Sequence, residues 1–147
     1  MSLRTYTHFQ AHLRREMMKS YYERSDGVVK RLLGRSRRND NAYNDTPFAL
    51  FMPIPYWAEE VEFLEGILLA RKEDKTPPFD LGQQVEVIVN YARHVAWSEG
   101  PRLKRASRYF VKRVVYLGRD WWKMQMHDVV PGGSAYYNTK SFRRVPN

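Results

Sequence analysis

Guanidinium groups carry most of the chemistry legible in this chain. Arg31, Arg35, Arg37 and Arg38 form its densest basic run, and arginine suits phosphate contact because its planar fork can hold a pair of phosphate oxygens. A second block supplies Arg102, Arg105, Arg108 and Lys112, with no acidic residue between Glu99 and Asp120, and Arg143 and Arg144 stand near the end. These residues are the candidate anion contacts. The competing reading of the first run is a solvated helix end whose cations favour the macrodipole.

Other groups suggest less. His8 and His12, at i and i+4, would make half a zinc site, but no third ligand follows at motif spacing. Glu59, Glu62 and Glu65 share one face of a predicted helix. A di-iron centre would need Glu-x-x-His pairs, which the chain lacks, so a solvated or salt-bridged acidic face is expected, with the basic helix after Pro101 as its partner. His94 reads as a core or interface histidine, and His127 beside Asp128 is too weak a pairing for catalysis. Gly34 and Gly132-Gly133 make no phosphate loop, and there is no nucleophile elbow. With no cysteine, disulfide, thiolate and cysteine-nucleophile chemistry are excluded. No catalytic residue, metal or cofactor is expected.

The elements that would position these residues read as helical. Leu3 to about Glu23 places Leu3, Tyr6, Phe9, Leu13 and Met17 on one face; its Arg- and His-rich composition also suits a mitochondrial import segment. After a break at Ser25-Asp26-Gly27, Val28, Val29, Leu32 and Leu33 form a short helical stripe, and Asn39 to Asp45 a polar loop. Phe48 to Trp57 is apolar and proline-punctuated, an extended arm. From Trp57 a helix is expected, with Glu59, Glu60 and Glu62 early, Arg71 and Lys72 late, and Trp57, Val61, Leu64 and Leu68 buried. Asp80 and Gln83 offer a capping box for a buried central helix ending at Gly100, and Pro101 opens a basic helix reaching Leu117. Asp120 to Val130 adds one or two helical turns, and Pro131-Gly132-Gly133-Ser134 leads into an irregular aromatic and basic tail. The predicted fold is all-α: four to five helices in one domain, residues 1–130, with an extended Pro-containing arm, and a tail at 131–147.

The chain has 147 residues and a net charge of +9. Residues 1–38 hold ten Lys and Arg against three acids, residues 39–80 three against nine, and residues 101–147 eleven against two. Blocks of one sign point to a contact surface for an anionic partner. In composition the chain resembles small ribosomal proteins, though no family motif matches residue by residue. The expected role is a non-catalytic structural subunit of a ribonucleoprotein, a mitochondrial ribosome first among them, touching rRNA backbone and neighbouring subunits on the matrix side. The alternative is an accessory subunit of a mitochondrial membrane complex, its basic helices resting on anionic lipid. The uncharged run from Thr46 to Ala58 is too short to span a bilayer.

Overall fold

A computed structural model of the chain describes residues 24–45, 56–95, 100–127, 129 and 135–146. The predicted opening helix, the His8–His12 pair and most of the proline-rich arm lie outside these residues. Two helices come first, α1 (Asp26–Asn44) and α2 (Tyr56–Lys72), followed by seven strands: β1 (Gln84–Val87), β2 (Tyr91–Ala92), β3 (Leu103–Lys104), β4 (Arg108–Gly118), β5 (Trp121–Met126), β6 (Tyr137–Asn138) and β7 (Phe142–Arg144). The fold is therefore α+β, and the all-α expectation is wrong from residue 80 onward.

The helices form as the sequence suggests. Ser25 caps α1, its hydroxyl accepting from the Val28 N–H, and the helix then runs through the stretch expected as a polar loop. Val29, Leu33 and Ser36 bury its inner face. In α2 the acid-first, base-last order complements the helix dipole, but the buried stripe is Glu60, Phe63, Leu64, Ile67 and Ala70, rotated from the expected one. Asp26 pairs with Arg71, and Arg37 with Glu65, each at 2.8 Å, so the two helices run antiparallel. Gly66 sets how closely α2 lies on the sheet: a methyl there would sit 2.9 Å from the Tyr116 carbonyl oxygen and 3.1 Å from its nitrogen.

The expected central helix is instead strand and turn. Gln83 does reach back to the Asp80 N–H at 3.1 Å, and its own N–H binds the Asp80 carbonyl at 3.2 Å. Yet Gly82 between them has φ +80°, so the capping-box pattern closes a tight turn that feeds a strand. Past it the β-branched residues Val85, Val87, Ile88 and Val89 prefer extended backbone, and Val85 and Val87 enter the core from either side of Glu86. The predicted basic helix is β3 and β4: Tyr109, Val111, Val114, Val115 and Tyr116 favour a strand more than their three-to-four spacing favours a helix. Asp120–Val130 yields β5, where Trp122, Met124 and Met126 are buried at a period of two. Arg119 and Asp120, both at positive φ (55° and 62°), make the two-residue turn from β4.

The five-stranded sheet has the order β6-β5-β4-β1-β7, with every pairing antiparallel, and β2–β3 forms the outer part of the long first hairpin. The supposed irregular tail supplies both edge strands, joined only by the 3-10 turn Thr139–Ser141. Flat, those edges would stand about 19 Å apart, whereas four residue steps at 3-10 rise cover about 8 Å. The sheet must therefore curl until its edges meet. Tyr137 and Phe142 close the seam edge to face, ring centroids 6.3 Å apart, and both are buried. Two register shifts along β4 supply the bend. A long first hairpin, a meander and a 3-10 turn before the last strand thus give a small antiparallel sheet rolled into a barrel.

Gly66→Ala tests the helix–sheet contact. Helix propensity alone would favour alanine by about 1 kcal/mol; the close Tyr116 backbone should reverse the sign, for a net loss of about 1–2 kcal/mol in chemical denaturation.

Candidate functional site

Two arginine–glutamate clusters organise the charged side chains, one dry and one wet. In the dry one, Arg113 of β4 keeps only 3% of its side chain exposed and donates from Nη2 to Glu60 Oε1 at 2.5 Å. Glu59 stands 4.0 Å from Nη1, and the guanidinium carbon lies 5.1 Å from the Phe63 ring centroid. Burial works against the charged form, but facing Tyr136, Glu60 and Glu59 outweigh it and hold the Arg113 pKa above its ordinary value. Burial also pushes the Tyr136 phenol well above its usual value. Lys123 pairs with Glu62 and sits 4.3 Å over the Tyr136 ring. Glu59 and Glu62 thus form the salt-bridged acidic face expected of this helix, while Glu65 turns to Arg37. Arg113 does come from the segment after Pro101, as a strand residue.

The wet cluster lies across three adjacent strands. Glu86 of β1 stands in register with Arg108 of β4 and Arg143 of β7. Arg108 Nε donates to its Oε1 at 3.3 Å; Arg143 donates to Oε2 from Nε at 2.7 Å and Nη2 at 2.5 Å. The carboxylate is nearly covered, at 11% exposure, whereas Arg108 and Arg143 are 52% and 61% exposed. Hydrogen bonding from Arg143, joined by that from Arg108, holds the Glu86 carboxyl below its ordinary value. Beside it an open groove of about 430 Å³ is lined by Glu86, Val87, Ile88, Arg105, Ala106 and Arg143.

The structure thus brings Arg105, Arg108 and Arg143 together, although 34 residues separate Arg108 from Arg143. Arg144 leaves this group, its Nη2 donating to the Pro78 carbonyl at 3.0 Å with Asp80 3.8 Å away. Lys112 is half-buried within β4, and Arg102 is exposed before β3. On α1, Arg31, Arg35 and Arg38 are exposed at i, i+4 and i+7, the face opposite the buried Val29, Leu33 and Ser36. Arg37 flanks that row and reaches Glu65.

Sequence reasoning missed Glu86, Tyr91, Arg93 and Lys104. The signal for Glu86 was a lone acid inside a β-branched run; its arginine partners needed the strand order. Tyr91 pairs with Lys104 across the first hairpin and is 57% exposed. His94, expected in a buried helix, is exposed, with Nδ1 3.3 Å from the Val95 carbonyl oxygen. Among the described residues no group of three or more His, Asp or Glu could hold a metal ion, and no helix is long and apolar enough to cross a membrane. No family model, curated protein or solved structure matches the chain.

Each cluster makes its own prediction. Glu60→Ala removes the close partner of Arg113 and leaves only Glu59 at 4.0 Å, which should cost about 3 kcal/mol in denaturant unfolding, whereas replacing the whole cluster by Glu59→Gln, Glu60→Leu and Arg113→Met should cost less than that single change. Glu86 has a depressed folded pKa, so its stabilisation is present above the ordinary carboxylate value of 4.5 and is lost as pH falls through the lower folded value. The melting-temperature gap between wild type and Glu86→Gln should therefore be widest above pH 5 and close steadily below about pH 4.5.

Proposed function

We propose that the protein is a non-catalytic structural subunit of a ribonucleoprotein and binds RNA backbone by charge. The observation that carries this reading is the arginine row on α1. Arg31, Arg35 and Arg38 are exposed on the face turned away from α2, and none of them makes an ion pair among the described residues. Successive residues of the row sit one turn apart, so the three span about 10 Å of helix axis. A row of this kind neutralises consecutive phosphates and releases their counterions, which makes affinity without reading base sequence.

The first hairpin supports the same reading, with exposed Arg93, Arg102, Lys104 and Arg105 around an exposed Tyr91. Within this proposal a ribosome is the assembly of choice. The Arg- and His-rich stretch ahead of Glu16 favours the mitochondrial one, where the subunit would touch rRNA and neighbouring proteins.

Salt dependence tests the proposal. Fluorescence anisotropy with a structured RNA should give a log affinity that falls linearly with log salt concentration. Neutralising Arg31, Arg35 and Arg38 together to Gln should flatten that slope by about 2. Arg37→Gln, which removes a side chain already held by Glu65, should flatten it far less. A wild-type protein that ignores RNA at low salt, or a triple variant with the wild-type slope, would refute the reading.

A further inference from the structure

Beyond the backbone contact of α1, and resting on that RNA-binding reading, we infer that the groove beside Glu86 holds a nucleotide of single-stranded RNA. Arg105 and Arg143 would take its phosphate and Tyr91 would stack on a neighbouring base. The floor of the groove is built for this. Glu86 is a positioning residue: Oε1 is occupied by Arg108 and Oε2 by Arg143, which fixes two guanidinium groups at one spacing on the two strands that flank β1. Each arginine spends only part of its five donors on the carboxylate. Arg108 engages through Nε alone, leaving both of its terminal amino groups; Arg143 keeps Nη1. The charge at the site, three arginines against one glutamate, still favours an anion.

The rim adds two observations. Arg105 sits on a turn in which Ala106 is held at φ +71° by its N–H bond to the Val87 carbonyl, with Ser107 bonding back to Lys104. That backbone position favours glycine, and an alanine kept there marks a turn whose shape is imposed by its surroundings. The turn carries Arg105 to the groove. On the same hairpin Ile88, Val89 and Tyr91 are exposed apolar groups, at 38%, 37% and 57%, and the Tyr91 ring is open to a flat partner.

The size and shape select a single strand. A groove of about 430 Å³ is on the scale of a small-ligand site, enough for one nucleotide unit but not the breadth of a duplex. In an A-form duplex the base faces are stacked away, so an exposed tyrosine has nothing to stack on; an unpaired strand offers a π-face at every base. The neighbouring cations Arg105 and Lys104 would follow its backbone.

Binding of fluorescent oligouridine and of an A-form RNA duplex of equal length tests the assignment. Arg105→Gln and Tyr91→Ala change exposed residues, so melting temperatures should stay at the wild-type value. Each should weaken oligouridine binding about fivefold or more and leave duplex binding within about twofold. Glu86→Gln, which frees the two arginines from their fixed spacing, should shift the same single-strand-to-duplex ratio. The α1 variant with Arg31, Arg35 and Arg38 replaced should weaken both probes together. Unchanged oligouridine affinity in Arg105→Gln and Tyr91→Ala, alongside the α1 loss, would overturn the groove assignment and leave the RNA-binding reading standing. A wild-type protein that binds neither probe would overturn the RNA-binding reading and the groove assignment with it.

Discussion

The 3-10 turn between β6 and β7 is the constraint on which the arrangement depends. Three residues, Thr139–Ser141, join strands that lie at opposite ends of the sheet order. They can do so only if the sheet rolls up and brings Tyr137 against Phe142. Closure decides which side chains become core, since the barrel interior then takes Val85, Val87, Val111, Met124 and Tyr137. It also decides which strand lies beside β1. With β7 folded against it, β1 has an arginine-bearing neighbour on each side, and a lone glutamate becomes the centre of a charge ladder. Burial holds the Tyr137 phenol up at about 12 while its hydroxyl donates to the Pro101 carbonyl, which ties the same seam to the far side of the first hairpin.

This geometry also redistributes charge. Counted along the chain, residues 39–80 form an acidic block and residues 101–147 a basic one. In space the two partly meet: Glu59 and Glu60 face Arg113, and Glu62 faces Lys123. What stays uncompensated is a smaller and more local excess, on the outer face of α1 and on the first hairpin. Surface ion pairs such as Arg37–Glu65, half-exposed on both sides, add little stability. Their effect is to remove Arg37 from the row that would meet an anion, leaving Arg31, Arg35 and Arg38 as the free face.

The helical half of the molecule was legible and the β half was not, for reasons visible in particular residues. α2 announces itself by acids first, bases last and apolar positions between, so its span was read almost to the residue. Its inward face was misjudged because Glu60 is buried, and a buried carboxylate becomes intelligible only once Arg113 stands opposite it. From Asp80 onward Leu81, Val85, Ile88, Val89 and Ala92 fit a helical period while Val85 and Val87 fit a period of two, and β-branching should have decided between them. A glycine at 82, inside the supposed first turn, was a further sign against a helix. Tyr136, Tyr137 and Phe142 looked like tail aromatics because two- and three-residue strands carry too short a pattern to betray themselves. Of the candidate site, the residue types were right and their grouping was hidden. Arg108 and Arg143 meet only through β1, and no spacing along the chain encodes that.

The two arginine–glutamate clusters show why like residues divide between architecture and contact. Arg113 is shut between α2 and the sheet, with Phe63 on one side and the glutamates on the other, and so dry a guanidinium can bind nothing further. Its partnership is demanding: in a low-dielectric setting either partner alone is a liability, which fixes how α2 sits over β4. Arg108 and Arg143 share the same chemistry around Glu86 but lie more than half exposed. Water competes there, each pair adds little to stability, and the carboxylate mainly limits where the guanidinium groups can point. A guanidinium that is oriented but still wet loses little rotamer entropy when an anion arrives, because its ordering has already been imposed by the fold. Exposure, more than residue type, separates the arginine that holds the barrel to its helix from the arginines whose donors still face water.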